Sequence, residues 1–373
     1  MLEIADIFHL YGDEYLQKFG NTMLPSQRRA FMDILACRTP VMGGHVYSCD
    51  RCNHQVYSYH SCRNRSCPKC HGNDMERWLE ERQKELLPVE YFHLVFTIPQ
   101  ELHQVAKFHQ KELYAILMKA AAEALAKLAA DPHYIGGIVG ILAVLHTWTR
   151  TLLYHPHVHC LVPAGGVSAD GEWLPARKNY LVPVRALSKI FRAVFKDMLT
   201  QKLLELQVPA TTWHKDWVVY AKPVIQRPDQ VLQYLGRYVH RIALTNSRIL
   251  AIDNGQITFR YQKSGDTQWK TMTLSAMEFI RRFLQHVLPR GVHKVRYYGL
   301  WSPTNRKLLG QLQLRLNRDR SNHQPGRRQK EKPDSHIGGI SSISTSECQK
   351  CPHCGEGILR RTGTIPRGSR SPP

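Results

Sequence analysis

Acidic side chains are scarce in this 373-residue chain: 30 Asp and Glu face 51 Lys and Arg, a formal net charge of +21. That imbalance disfavours a cationic partner. It favours a polyanion, whose phosphates the basic groups neutralise with release of counterions. Nucleic acid leads and an anionic membrane surface comes second. Long apolar runs are also missing. The longest, Tyr134 to Leu145, falls well short of the roughly 18 residues that a membrane-crossing helix needs. No apolar leader-like segment follows the opening MLEIADIFHLYGDEY, so a soluble, cytoplasmic protein without a membrane partner is expected. The chain has no HExxH sequence, which disfavours a zinc hydrolase of small molecules, and no internal repeat.

What is present is enough apolar material, 43% of residues, to bury a sizeable core in two or three domains. Residues 1–42 read as a helical lead-in. Ile4, Ile7, Phe8, Tyr11 and Tyr15 recur at helical spacing, and a second helix from Pro25 to Ala36 opens on proline. Across residues 43–73 that periodicity disappears while Cys, His, Arg and Asn accumulate, as in a fold held by metal instead of a hydrophobic core. Residues 74–318 form the largest block. From 319 to 373 the chain is basic and rich in Ser, Pro and Gly, and is expected to be mostly disordered around a second Cys cluster.

Within the large block, after a bridging helix (Asp74 to Leu87), the elements alternate. Strands are expected at Tyr91–Ile98, Gly137–His146, His155–Val162 and Trp217–Lys222, and helices at Leu102–Ala130, Arg185–Leu206 and Pro228–Arg241. The order β-α-β-β-α-β predicts an α+β domain over about 90–245, a ferredoxin-like split βαβ antiparallel sheet with helices on one face. A hairpin at GQITFRYQ and QWKTMTL, a helix from Ser275 to Val287, a strand at KVRYYG and a helix from Pro303 to Leu316 are read as extending the same domain.

Ten cysteines fall mainly in CxxC units, which read as metal knuckles in a reducing compartment more naturally than as disulfides. Cys49 with Cys52 and Cys67 with Cys70 supply four thiolates, enough for one closed structural Zn2+ site. Cys62, His45, His60 and His71 are surplus candidates, and Cys37 and Cys160 stand apart. Arg51, Arg63, Arg65 and Lys69 lie between the ligands, where they would contact phosphates or form a solvated basic face. Near the end, Cys348, Cys351 and Cys354, with His353 or His336, are a weaker candidate metal site.

In the stretch HPHVHC, strand alternation sends His155, His157 and His159 to one face and Val158 and Cys160 to the other. Three imidazoles on one face point to a divalent ion with open coordination positions, able to polarise a phosphoryl oxygen. Pro156 places this part of the strand at the entrance to the sheet. His146, across the short connection, competes with His155 as third ligand, while His93 reads as a packing or DNA-contact residue. Tyr234 and Tyr238, four apart, share a helix face; taken alone, such a pair is more often core packing than a pair of nucleophiles.

The motifs SCRNRSCPKC, YFHLVFTIP, HPHVHCLVPAGG and YLGRY, in this order across about residues 1–310, resemble the two-tyrosine HUH rolling-circle transposases of the insertion sequence 91 family. The resemblance implies an HUH-endonuclease domain over 74–318 behind a zinc-ribbon-like module. It implies that His157 and His159 hold a catalytic Mg2+ or Mn2+ and that Tyr234 and Tyr238 are nucleophiles, with Arg237 and Arg241 beside them as DNA contacts. The implied activity is cleavage and rejoining of single-stranded DNA at transposon ends and target through 5′-phosphotyrosine links, by a protein associated with the nucleoid when bound. The family often has His where this chain has Ser66. A plasmid replication initiator or relaxase with the same chemistry, and a zinc-dependent DNA-binding protein without enzymatic activity, are the alternatives. The cysteine-rich module ahead of the large block favours the transposase.

Overall fold

The structure is a computed structural model and describes residues 2–70, 78–224, 244–262, 266–323 and 349–368, with side chains to residue 318 in the fourth segment. Thirteen strands are numbered in chain order. They are β1 (Gly44–Cys49), β2 (Gln55–Tyr59), β3 (Tyr91–Thr97), β4 (Gly140–Trp148), β5 (Tyr154–Pro163), β6 (Gly165–Val167), β7 (Trp173–Pro175), β8 (Val219–Val224), β9 (Ile249–Asp253), β10 (Gln256–Gln262), β11 (Trp269–Ser275), β12 (Val295–Gly299) and β13 (Leu359–Ile365). The fold is α+β with antiparallel strand pairing throughout. The chain divides into two compact units.

The first unit draws on Met1–Glu76, Leu244–Val287 and Glu331–Pro373. Its helices Ile4–Phe19 and Pro25–Ala36 lie where the apolar spacing and the opening proline place them. They share a core with the helix Ala276–Leu284: the Phe8 ring lies 5.1 Å from Phe31 and 5.5 Å from Phe283. Ser275 caps that third helix by accepting the Glu278 amide at 3.3 Å. The β9–β10–β11 meander packs on it through Phe259 and Phe279. Residues 249–287, read from sequence as part of the large block, therefore group with the lead-in. The stripe Phe279, Ile280, Phe283 and Leu284 is buried against the N-terminal helices.

Two strand pairings complete this unit. Residues 43–73, where the sequence shows no regular periodicity, contain the hairpin β1–β2. The tail, expected to be mostly disordered, supplies β13, which pairs along β1 from Gly44↔Ile365 to Cys49↔Leu359. Neither was visible as a hydrophobic pattern because these strands bury little: β2 and β13 are largely exposed or half-buried.

The second unit covers Arg77–Ala243 and Leu288–Lys330. Its five-stranded sheet has the order β12-β4-β5-β3-β8. Since β3 and β4 are each antiparallel to β5, they run parallel to each other with β5 inserted between them. The expected element order is present among the described residues, although the long helix is broken at His109 into His103–Phe108 and Gln110–Ala129. On one face, Phe92, Leu94 and Phe96 of β3, Ile141, Ala143 and Leu145 of β4, and Val158, Cys160 and Val162 of β5 pack under the helices Gln110–Ala129 and Val184–Lys202. Each fully buried leucine there, such as Leu117, contributes about 1.5–3 kcal/mol.

The opposite face has two parts. Tyr91, Leu142 and Leu161 pack against Trp301 and the helix Arg306–His323 through Leu309 and Leu312. The other part carries His93, His146, His157 and His159, two or four residues away along the same strands.

Candidate active site and metal centres

Register places the histidines. His146 of β4 pairs with His157 of β5, and His159 lies between Val144 and Val95. Ligand nitrogens of His146, His157 and His159 all lie within 4.8 Å of one another, on a buried or half-buried surface. His155, the rival third ligand, is not in this group. The β4–β5 register shifts between His146 and Trp148, so β5 carries an extra residue around Pro156 and strict alternation fails there. The His155 ring lies 5.3 Å from His157 and 5.6 Å from His103, but its nitrogens fall outside the group.

The imidazoles are oriented by their second nitrogens. His157 Nδ1 lies 2.7 Å from the His155 carbonyl oxygen. That oxygen can only accept, so Nδ1 carries the proton and Nε2 keeps a free lone pair. His159 Nδ1 lies 2.8 Å from His93 Nε2. When Nδ1–H donates to His93, His159 likewise presents Nε2. Burial pushes His157 and His93 down to about 4, so both are neutral near pH 7, as ligand and acceptor require. His146 is stacked 4.5 Å from Trp148, and Lys294 lies over the Trp148 ring at 5.0 Å. His93 was read from sequence as a packing or DNA contact; its part as hydrogen-bond partner to His159 emerges only from the β3–β5 register.

The cysteines assemble differently from the single tetrahedron expected of Cys49, Cys52, Cys67 and Cys70. The six-residue β1 separates the two CxxC units by roughly 17 Å at a strand's rise per residue. Cys67 and Cys70 group with Cys62 and with Cys37, the residue that ends the helix Pro25–Ala36. Cys37 and Cys62 each lie 3.5 Å from Cys70, sulfur to sulfur. A tetrahedral zinc with thiolates at about 2.3 Å has an edge of about 3.8 Å, so the spacing suits such an ion. Mutual hydrogen bonds hold Cys37 near 7 and Cys70 lower still, while they raise Cys62 and Cys67. Four thiolates packed this closely need a cation to ionise together. Cys49 and Cys52 meet Cys351 and Cys354. Cys37 carried no sequence signal beyond its isolation, and His45 and His60 meet edge to face at 4.9 Å outside both groups. Cys160 is buried under the helices.

Of the basic residues between the knuckles, Arg51 pairs with Glu356 and Lys69 with Glu3 at 2.7 Å, while Arg63 and Arg65 are exposed. Tyr234, Tyr238, Arg237, Arg241, His71, His336 and Cys348 lie outside the described residues. Among the described residues no helix is long and apolar enough to cross a membrane.

Comparison with known proteins places the chain in a family. A family model described as "Transposase zinc-binding domain" matches residues 7–98, and one described as "Putative transposase" matches residues 140–308. The chain is 38% identical over 379 residues to "Putative transposase y4qJ" of Sinorhizobium fredii (strain NBRC 101917 / NGR234), covering 96% of this chain and 94% of that protein. It is 29% identical over 286 residues to "Transposase for insertion sequence element IS801" of Pseudomonas savastanoi pv. phaseolicola, covering 71% and 68%. No solved structure matches. With the zinc-binding match over the cysteine-rich segment, the second over the histidine strands, and similarity along nearly its whole length, the chain belongs to the transposases of the insertion sequence 91 family.

Proposed function

We propose that this transposase is an HUH-type strand transferase that cuts and rejoins single-stranded DNA at transposon ends and target, working in the cytoplasm on the nucleoid. The carrying observation is the trio His146, His157 and His159, three neutral-capable imidazoles converging on a buried to half-buried part of the sheet face. The order β8-β3-β5-β4 within the sheet, with the element sequence β-α-β-β-α-β, supports reading this domain as the split βαβ plan. The residues suit a divalent ion, since one imidazole nitrogen is fixed as donor to a carbonyl and another lies against His93. Mg2+ or Mn2+ held there would polarise a phosphoryl oxygen of the strand to be cut.

The nucleophiles in this reading are Tyr234 and Tyr238, assigned from the motif YLGRY and the family resemblance. A tyrosine oxygen attacks phosphorus and loses its proton as the new P–O bond forms. The bond to the 3′-oxygen breaks, and that oxygen takes up a proton. The products are a 5′-phosphotyrosine and a free 3′-OH, and the reverse reaction rejoins the strand without a nucleotide cofactor. Two tyrosines allow one strand end to be held while a second is captured. Arg63 and Arg65 on the zinc module, with Arg237 and Arg241 beside the tyrosines, would contact phosphates. Arg51 and Lys69 would do so by exchanging exposed or half-exposed carboxylate partners, contacts of low net worth.

The test is incubation with labelled single-stranded DNA from the element ends, followed by a denaturing gel. Formation of a protein–DNA adduct and a shortened strand, both abolished by EDTA, supports the reading. DNA binding with no cleavage under any divalent ion returns the protein to a binding role.

His93 provides a finer check. Its Nε2 orients His159 without joining the trio, so His93→Ala is expected to weaken Mn2+ binding about 10–100-fold, as losses of such outer partners do. Titration calorimetry on the DNA-free protein measures this. Unchanged affinity would mean that His159 is oriented by other contacts.

A further inference from the structure

The grouping of Cys49 and Cys52 with Cys351 and Cys354 joins positions about three hundred residues apart in sequence. Two of these four cysteines lie outside the stretch that matches the zinc-binding family, residues 7–98. Both halves have the local form of a metal knuckle. In the first, the amides of Arg51 and Cys52 point at Cys49 Sγ at 3.4 and 3.5 Å, and Asn53 follows with φ 57°. In the second, the Gly357 amide points at Cys354 Sγ at 3.3 Å, and Gly355 follows with φ 71°. Amides aimed at sulfur stabilise thiolates, and the left-handed residue turns the chain so that both sulfurs of a CxxC face one point.

The sulfurs are spaced for a shared ion. Cys49 to Cys354 and Cys52 to Cys351 are each 3.7 Å, against about 3.8 Å for the edge of a zinc–thiolate tetrahedron and about 2.05 Å for a disulfide. Neighbouring groups tie the two halves together, although Cys52 stays exposed and Cys354 half-buried. Asp50 accepts the Ile358 amide at 2.8 Å and Arg360 Nε at 3.3 Å, and His54 stacks on His353 at 4.8 Å. A Cβ on Gly357 would lie 2.2 Å from Cys49 Sγ, so only glycine leaves the sulfur its place. The strands concerned bury little apolar surface, so hydrophobic contact alone is a weak reason for β13 to add to β1.

We propose that Cys49, Cys52, Cys351 and Cys354 form a second structural zinc site, separate from Cys37, Cys62, Cys67 and Cys70, which clips residues 349–368 onto the N-terminal hairpin as its third strand. The module then holds two zinc ions and is completed from both ends of the chain. A consequence for folding follows: the second site has all its ligands only after residue 354 has been synthesised, so the N-terminal module is finished last.

The test uses the full-length, zinc-loaded protein. Thiol alkylation with peptide mapping is expected to find Cys49, Cys52, Cys351 and Cys354 protected together, and reactive together once a chelator strips the metal. Rapid labelling of Cys351 and Cys354 while zinc is loaded would overturn the proposal. As a second measurement, Cys351→Ser/Cys354→Ser should lose one zinc equivalent relative to the parent by elemental analysis, with Cys37, Cys62, Cys67 and Cys70 still protected. An unchanged zinc content would overturn it, and this readout requires neither DNA nor transposase activity.

Discussion

A protein with both Tyr234 and Tyr238 changed to Phe is expected to form no covalent adduct with single-stranded DNA, at any time or divalent-ion concentration. The substitution keeps ring volume and removes only the hydroxyl, so a folding cost beyond about 1 kcal/mol per site is not expected. What disappears is the only attacking oxygen at each position. The single variants should separate the roles, one retaining cleavage while failing to complete transfer, because one tyrosine cannot hold two strand ends at once. Quantifying adduct on a denaturing gel, with circular dichroism to confirm folding, checks the result. A folded double variant with normal adduct yield would return both residues to the core packing that their helical spacing alone suggests.

The second large effect is at the histidine trio. His157→Ala removes an imidazole whose Nδ1 is committed to the His155 carbonyl and whose Nε2 faces His146 and His159. With the phosphoryl oxygen no longer polarised, a loss of about 4 kcal/mol of transition-state stabilisation is expected, on the order of 10³-fold in cleavage rate. His159→Ala should behave alike. DNA affinity should persist, since the basic residues that supply it lie elsewhere. His155→Ala should leave metal binding largely intact, because its nitrogens lie outside the group formed by His146, His157 and His159. Single-turnover cleavage and DNA binding, measured on the same preparations, distinguish these outcomes. Equal cleavage losses in His155→Ala and His157→Ala would contradict the arrangement.

The sheet of the second unit was legible because its strands alternate or run apolar between turn signals, and because Phe92, Leu94 and Phe96 must share a face whatever their partners. The trio was half legible. Alternation gives His157 and His159, but whether His146 or His155 groups with them depends on where one extra residue enters β5, a matter of pairing that local pattern does not encode. Cysteine spacing revealed knuckles without revealing which knuckles meet, since that is decided by the hairpin standing between them. The strand LRRTGTI lacks an apolar face and so carried no strand signal, although it pairs along the whole of β1. The helix at 276–284 was read correctly as a helix and assigned to the wrong neighbours, because an amphipathic stripe states that a face is buried and not against what.

Mass-spectrometric mapping of the adduct formed by the unaltered protein on single-stranded DNA tests the central claim most directly. After protease and nuclease digestion, the account predicts a nucleotide attached through its 5′-phosphate to Tyr234 or Tyr238, formed with Mg2+ or Mn2+ and absent in EDTA. Attachment to any other residue, a 3′-phosphate linkage, or strand cleavage that proceeds with no covalent intermediate would contradict it.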